Sequence, residues 1–181
     1  AFDECFAGYS HEGVPDIRII VFRGYPVMAM LRLATHASDG KANLHQGAVG
    51  LGLALDSGRC LNAVQFSQPI TLHPDTGRAL HDIHISGWRE ILILAAQCYD
   101  MTGLGYIGTD LVLDKYRGPQ LLELNARPGL SIQVANGRGL LPRLRHIEAL
   151  RDRWRLPPEQ RVDYVMREFS EATAVAGEQI Q

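Results

Sequence analysis

Short apolar runs punctuated by turn residues dominate the chain as far as Asn125, and they predict a sheet built from hairpins. Ile17 to Phe22 is apolar and rich in β-branched residues apart from Arg18. Arg23-Gly24-Tyr25-Pro26 then turns the chain, and Val27 to Leu33 returns, apolar apart from Arg32. Gly47 to Leu55 and Cys60 to Phe66 read as a second pair of strands around Asp56-Ser57-Gly58-Arg59. Leu104 to Leu113 and Pro119 to Asn125 read as a third, around the polar stretch Asp114-Lys115-Tyr116-Arg117-Gly118. Elsewhere the period changes to that of a helix. Ser86 is placed to cap one whose apolar set is Trp88, Ile91, Leu92, Leu94, Ala95, Cys98 and Tyr99, and Thr102-Gly103 ends it. A helical pattern runs from Leu130 to Ala135 and on through Leu140, Leu141, Leu144 and Ile147, broken by Gly137, Gly139 and Pro142, and another spans Glu159 to Ala172. The expected fold is α+β, an antiparallel sheet with helices packed on it. Residues 1–150 form its body, and 151–181 form a charged C-terminal helix and tail that opens with Arg151, Arg153 and Arg155 and ends in disorder.

The third hairpin carries the best candidate chemistry. With Asp114 facing Pro119 across a four-residue loop, Asp110 falls opposite Glu123, and the two-residue period of a strand puts Asn125 on the same face. Two carboxylates at roughly 5 Å repel each other unless a proton or cation lies between them. Two carboxylates and an amide carbonyl are a set that Mg²⁺ accepts together with nucleotide phosphates. Leu121, Leu122 and Leu124 mark the second strand as buried, where Glu and Asn need partners. Arg18 and Arg32, single cations in apolar runs, need an anion nearby, which is either an ion-pair partner or a phosphate. The loop Gly40-Lys41-Ala42-Asn43-Leu44-His45-Gln46-Gly47 gathers a cation, an amide and an imidazole.

Composition removes several classes of function. A chain of 181 residues, 46% hydrophobic and 21% charged, has enough apolar surface for one packed domain. A formal charge of -2 and a pI near 6.4 give no electrostatic reason to expect nucleic acid or an anionic membrane as partner. No apolar run approaches the roughly 20 residues of a membrane span, so a cytoplasmic location is expected. Cys5, Cys60 and Cys98 have no zinc-like or disulfide-like spacing. Nothing in the sequence fixes a monomer, and self-association stays open.

Asp110 followed thirteen positions later by Glu123-Leu124-Asn125-Ala126-Arg127-Pro128-Gly129 resembles the metal-binding hairpin of ATP-grasp carboxylate–amine ligases. Within them it is most similar to the glutamate-ligase group, whose known member adds glutamates to the C-terminus of a ribosomal protein. The resemblance runs from Asp16 to Gly129. It implies ATP with Mg²⁺, or Mn²⁺ in its place, as cofactors, and Asp110, Glu123 and Asn125 as metal ligands. Asp16-Ile17-Arg18 matches a motif in which the aspartate lies at the nucleotide and the arginine stabilises phosphate charge in transfer. Lys41 and Asn43 match phosphate-contacting positions, His45 would orient the substrate or the metal-bound phosphate, and Arg127 would contact a phosphate or a substrate carboxylate. The partners implied are a carboxylate donor such as glutamate and an amine or peptide acceptor. Because members of the group are close to twice as long, the resemblance casts this chain as the C-terminal portion of an ATP-grasp fold, binding ATP weakly when alone. Gly108-Thr109-Asp110 lacks the arginine that D-alanine ligases place there. Two other readings stay open: a non-catalytic module of degenerate grasp type that binds nucleotide, metal or protein, and a metal-dependent hydrolase, for which His81 and His84 lack an acidic partner at ligand-like spacing.

Overall fold

A computed structural model describes residues 2–151 and 156–171. The strands are β1 (Asp16–Phe22), β2 (Tyr25–Leu33), β3 (Val49–Leu53), β4 (Cys60–Gln65), β5 (Gln68–Pro69), β6 (Tyr106–Asp114) and β7 (Gly118–Asn125). The helices are α1 (Trp88–Thr102), α2 (Ser131–Asn136), α3 (Leu141–Glu148) and α4 (Pro158–Glu168). The strands form one seven-stranded sheet in the order β5-β4-β3-β2-β1-β6-β7, antiparallel at every pairing, so the expected α+β architecture is the observed one. The end of α4's predicted helix beyond 171, Arg153, Arg155 and the tail lie outside the described residues. Among those described, no helix is long and apolar enough to cross a membrane.

Alternation along the strands separates two faces. Ile17, Ile19, Leu31, Leu51 and Leu111 are fully buried on one of them. Asp16, Arg18, Arg32, Asp110 and Glu123 share the other, through the pairs Asp16↔Arg32, Arg18↔Asp110 and Asp110↔Glu123. α2 covers this polar face at β2 to β4: it meets the strands where Gly52 has no side chain, since a Cβ there would lie 2.5 Å from the carbonyl oxygen of Ala135. The Asn136 amide fixes it further by donating to the carbonyl of Ala29 at 3.0 Å. α1 runs along β1, β2, β6 and β7, and α4 packs against α1 and β2 with Val162 and Val165 fully buried. Arg161, also fully buried, reaches Asp100 on α1 and lies over the Tyr99 ring at 5.5 Å.

Several expectations are corrected, the first being the β1–β2 turn, which is Arg23-Gly24 with Tyr25 and Pro26 already in β2. Ser86 does not cap α1: Gly87 occupies the cap with φ 65 and no side-chain hydrogen bond, whereas Gly103 ends the helix in the left-handed conformation as predicted. β6 starts at Tyr106, and Leu104 lies ahead of it, exposed. β7 is not buried but is the edge of the sheet, with Leu121 37% and Leu122 63% exposed. An apolar run reports side-chain type; it does not report whether a further strand lies beyond it. The β6–β7 register reaches the expected pairing by a different route. The loop is shorter, Asp114 pairing with Gly118 while the Asp114 carboxylate accepts from the N–H groups of Tyr116 and Arg117. A β-bulge then leaves Leu122 unpaired, which shifts the register by one and puts Asp110 opposite Glu123 after all.

Candidate functional site

Four side chains on the polar face interlock. Asp110, 2% exposed, accepts from Arg18 through both oxygens, Nε to Oδ1 at 2.7 Å and Nη2 to Oδ2 at 2.6 Å. Arg32 bridges the two aspartates, donating from Nη2 to Asp110 Oδ2 at 2.9 Å and from Nε to Asp16 Oδ1 at 2.6 Å. Strand pairing is the cause: Arg18 stands across from Asp110 and Arg32 across from Asp16, so each fork meets a carboxylate with little conformational search. The charge conflict expected between Asp110 and Glu123 is therefore relieved on the Asp110 side by two guanidinium groups.

The electrostatics differ sharply between the two aspartates. Burial pushes the Asp110 carboxyl up, but the hydrogen bonds from Arg18 and the charges of Arg32 and Arg18 outweigh it and hold the group below the usual carboxylate range. Asp16, among the described residues, has Arg32 alone in direct contact, and desolvation pushes it up to about 6 against that partner. The hydrogen bond to Asp110 raises Arg18 above its ordinary value. Because the folded state holds a proton on Asp16 more tightly than the unfolded chain does, its contribution to stability is full below the ordinary 3.8 and is lost as pH rises through about 6. Urea denaturation at pH 4 and pH 7 should show the wild type losing more stability than Asp16→Asn over that interval; parallel pH dependences would show that Asp16 ionises normally.

Glu123 lies directly across from Asp110 at the sheet edge, exposed, with its charge acting on Arg18. The Asn125 side-chain oxygen accepts from the N–H of Arg127 at 2.9 Å, an Asx turn that starts the loop into α2. Among the described residues no three His, Cys, Asp or Glu side chains form a cluster fit for a metal ion. The exposed Glu123 carboxylate, the one lone pair left on Asp110 after its three arginine hydrogen bonds and the Asn125 carbonyl suit a hard ion that arrives with phosphate oxygens. They do not suit one held by protein ligands alone.

Beside the arginines opens a cleft of about 260 Å³ lined by Arg18, Arg32, Asn43, Leu44, His45 and Gly129, among others. Asn43 caps the short 3₁₀ turn Leu44–Gln46 by accepting from the His45 N–H at 3.0 Å, which fixes the conformation of the turn itself. The structure thus brings Arg18, Asn43 and His45 together and adds Arg32, which sequence reading gave less weight. The available signal was its place on the return strand of the same hairpin as Asp16-Ile17-Arg18. Lys41 and Arg127 are exposed and do not line this cleft.

The sequence profile of a family described as sugar-transfer associated ATP-grasp matches residues 1–149. No curated protein matches the chain. The match names the same superfamily that the hairpin suggested, under a description other than that of the glutamate-ligase group.

Proposed function

The chain belongs to the sugar-transfer associated ATP-grasp family, and on that premise we propose that it serves an ATP- and Mg²⁺-dependent ligase joining a carboxylate to an amine through an acyl phosphate. The observation that carries this reading is the pair of arginine forks pinned by Asp110 at the wall of an open cleft. A substrate carboxylate oxygen attacks the γ-phosphorus and ADP departs; the amine then attacks the acyl carbon and phosphate departs. Such a reaction asks a protein mainly for positioning and for charge neutralisation around the phosphoryl group. Arg18 and Arg32 supply fixed cations, held in place before the substrate arrives. Asn43 and Lys41 contact phosphate, His45 orients the substrate in the cleft, and Arg127 meets a carboxylate or phosphate at the loop. Mg²⁺ on Asp110, Glu123 and Asn125 would neutralise phosphate charge when bound, with Mn²⁺ able to take its place. The acceptor is an amine or peptide, and glutamate, the donor of the group the sequence resembles, is the reference acid against which other carboxylates are compared.

Glu123→Ala in the native protein is expected to weaken Mg-ATP binding by about tenfold or more, since disturbing even an outer partner of a metal ligand has effects of that order. Calorimetric titration measures it, and an unchanged dissociation constant would take Glu123 out of the metal set. One observation favours a second reading, a module that holds nucleotide without turnover: Asp110 already accepts three hydrogen bonds from arginines. ADP release that depends on added carboxylate and amine decides between them.

A further inference from the structure

A second cavity adjoins the charged cleft. This one has a volume of about 460 Å³ and shares Leu44, His45 and Ser131 with the first. Its walls come from three separate parts of the chain: Leu44 from the 3₁₀ turn, Phe66 from the β4–β5 turn, and Leu130 and Val134 from the start of α2. Phe66, Leu130 and Val134 are 58%, 56% and 46% exposed, so they form an open apolar patch where a charged wall would be the ordinary surface. Among the described residues no Arg, Lys, Asp or Glu lines it, and His45 is the one ionisable group.

Phe66 is held there against local preference. Phe66 and Ser67 have φ 48 and φ 62, left-handed values that bulky side chains rarely adopt. The phenyl ring rests on Gly47, where a Cβ would come within 2.7 Å of its Cζ. Gly47 is itself tied down through its carbonyl, which accepts from the Thr35 hydroxyl at 2.8 Å and the Gln65 amide at 2.9 Å. A polar pair with glycine would make this two-residue turn without strain, so the aromatic residue answers to something other than the turn.

Building on the ligase reading, we infer that the carboxylate substrate carries an uncharged, largely apolar side group. That group enters the second cavity while the carboxylate lies against Arg18 and Arg32. A glutamate side chain would bring a second carboxylate onto Leu44, Phe66 and Val134 with no Arg or Lys among the described lining residues to meet it, which desolvation opposes. The neutral hydrogen-bonding groups of Ser67, Ser131 and Gln133 leave room for a polar but uncharged tip.

The test compares hexanoate with glutarate, acids of similar length that differ in the charge carried by the distal end. Titration of the chain followed by methyl NMR should show hexanoate bound about tenfold or more tightly, the order of discrimination given by small changes in an apolar pocket, with shifts at Leu44, Leu130 and Val134. Val134→Asp, at an exposed helical position, should remove that preference. Glutarate binding as tightly as hexanoate, or hexanoate affinity unchanged in Val134→Asp, would overturn the inference. A second arm supplies ATP, Mg²⁺ and hydroxylamine to the native protein and measures hydroxamate from each acid. More product from glutarate overturns the inference but sustains the ligase reading. Product from neither, with hexanoate still preferred in the titration, overturns the ligase reading and upholds the pocket's preference.

Discussion

Asp110→Ala is expected to destabilise the fold by about 3 kcal/mol, the lower end of what removing one partner of a buried ion pair costs. The carboxylate is the common anchor of two arginines, and its loss takes away the group that holds the Arg18 fork and leaves Arg32 held by Asp16 alone. The Arg18 and Arg32 side chains keep 12% and 13% of their exposure, so water relieves part of the penalty and the upper end of the range is not reached. Asp110→Asn should recover only part of the loss, because an amide offers one acceptor oxygen and turns its NH₂ toward a guanidinium. Urea denaturation at neutral pH reads both variants, with the midpoint moving at unchanged slope. A loss below about 1 kcal/mol in Asp110→Ala would mean that the lattice behaves as a solvated surface pair.

The pairing of Asp110 with Glu123 was legible in the sequence because strand alternation depends on parity and the two ends of the hairpin were marked. The loop was predicted one residue too long and the bulge at Leu122 was missed, and these two errors cancel. A bulge has no residue signature that a single sequence displays, so only geometry reveals it. The arginine lattice was half legible. Arg18 and Arg32 each announced a need for an anion, but the partner of Arg18 lies ninety-two residues away and that pairing follows from β1 lying between β2 and β6. The exposed β7 edge was not legible, since Leu121, Leu122 and Leu124 have the same composition as a central strand. Nor was the left-handed turn that holds Phe66 over the apolar cavity, where the sequence Gln65-Phe66-Ser67-Gln68 carries neither glycine nor asparagine to announce it.

Arg18→Ala is expected to lower kcat by a factor on the order of 10² to 10³, the usual loss when one preorganised electrostatic contact to a transition state is removed, with a smaller change in KM for ATP. Two features of the site support that split. The Asp110 carboxylate holds both Nε and Nη2 of Arg18, so the fork is fixed before nucleotide arrives and needs no reorganisation as charge builds on the phosphoryl group. Arg32 remains in the same cleft and, on the proposed ligase reading, continues to attract ground-state phosphate when Arg18 is gone. Arg18→Lys should restore little, because an ammonium cannot make the two parallel bonds to Asp110 and still present a donor to the cleft. Steady-state ADP release, with the carboxylate and amine that give the highest turnover, separates kcat from KM, and urea denaturation of the same variant separates lost chemistry from lost folding. If Arg18→Ala raised KM for ATP and left kcat alone, Arg18 would be a ground-state contact. If turnover and KM both held while stability fell, its work would be to balance Asp110.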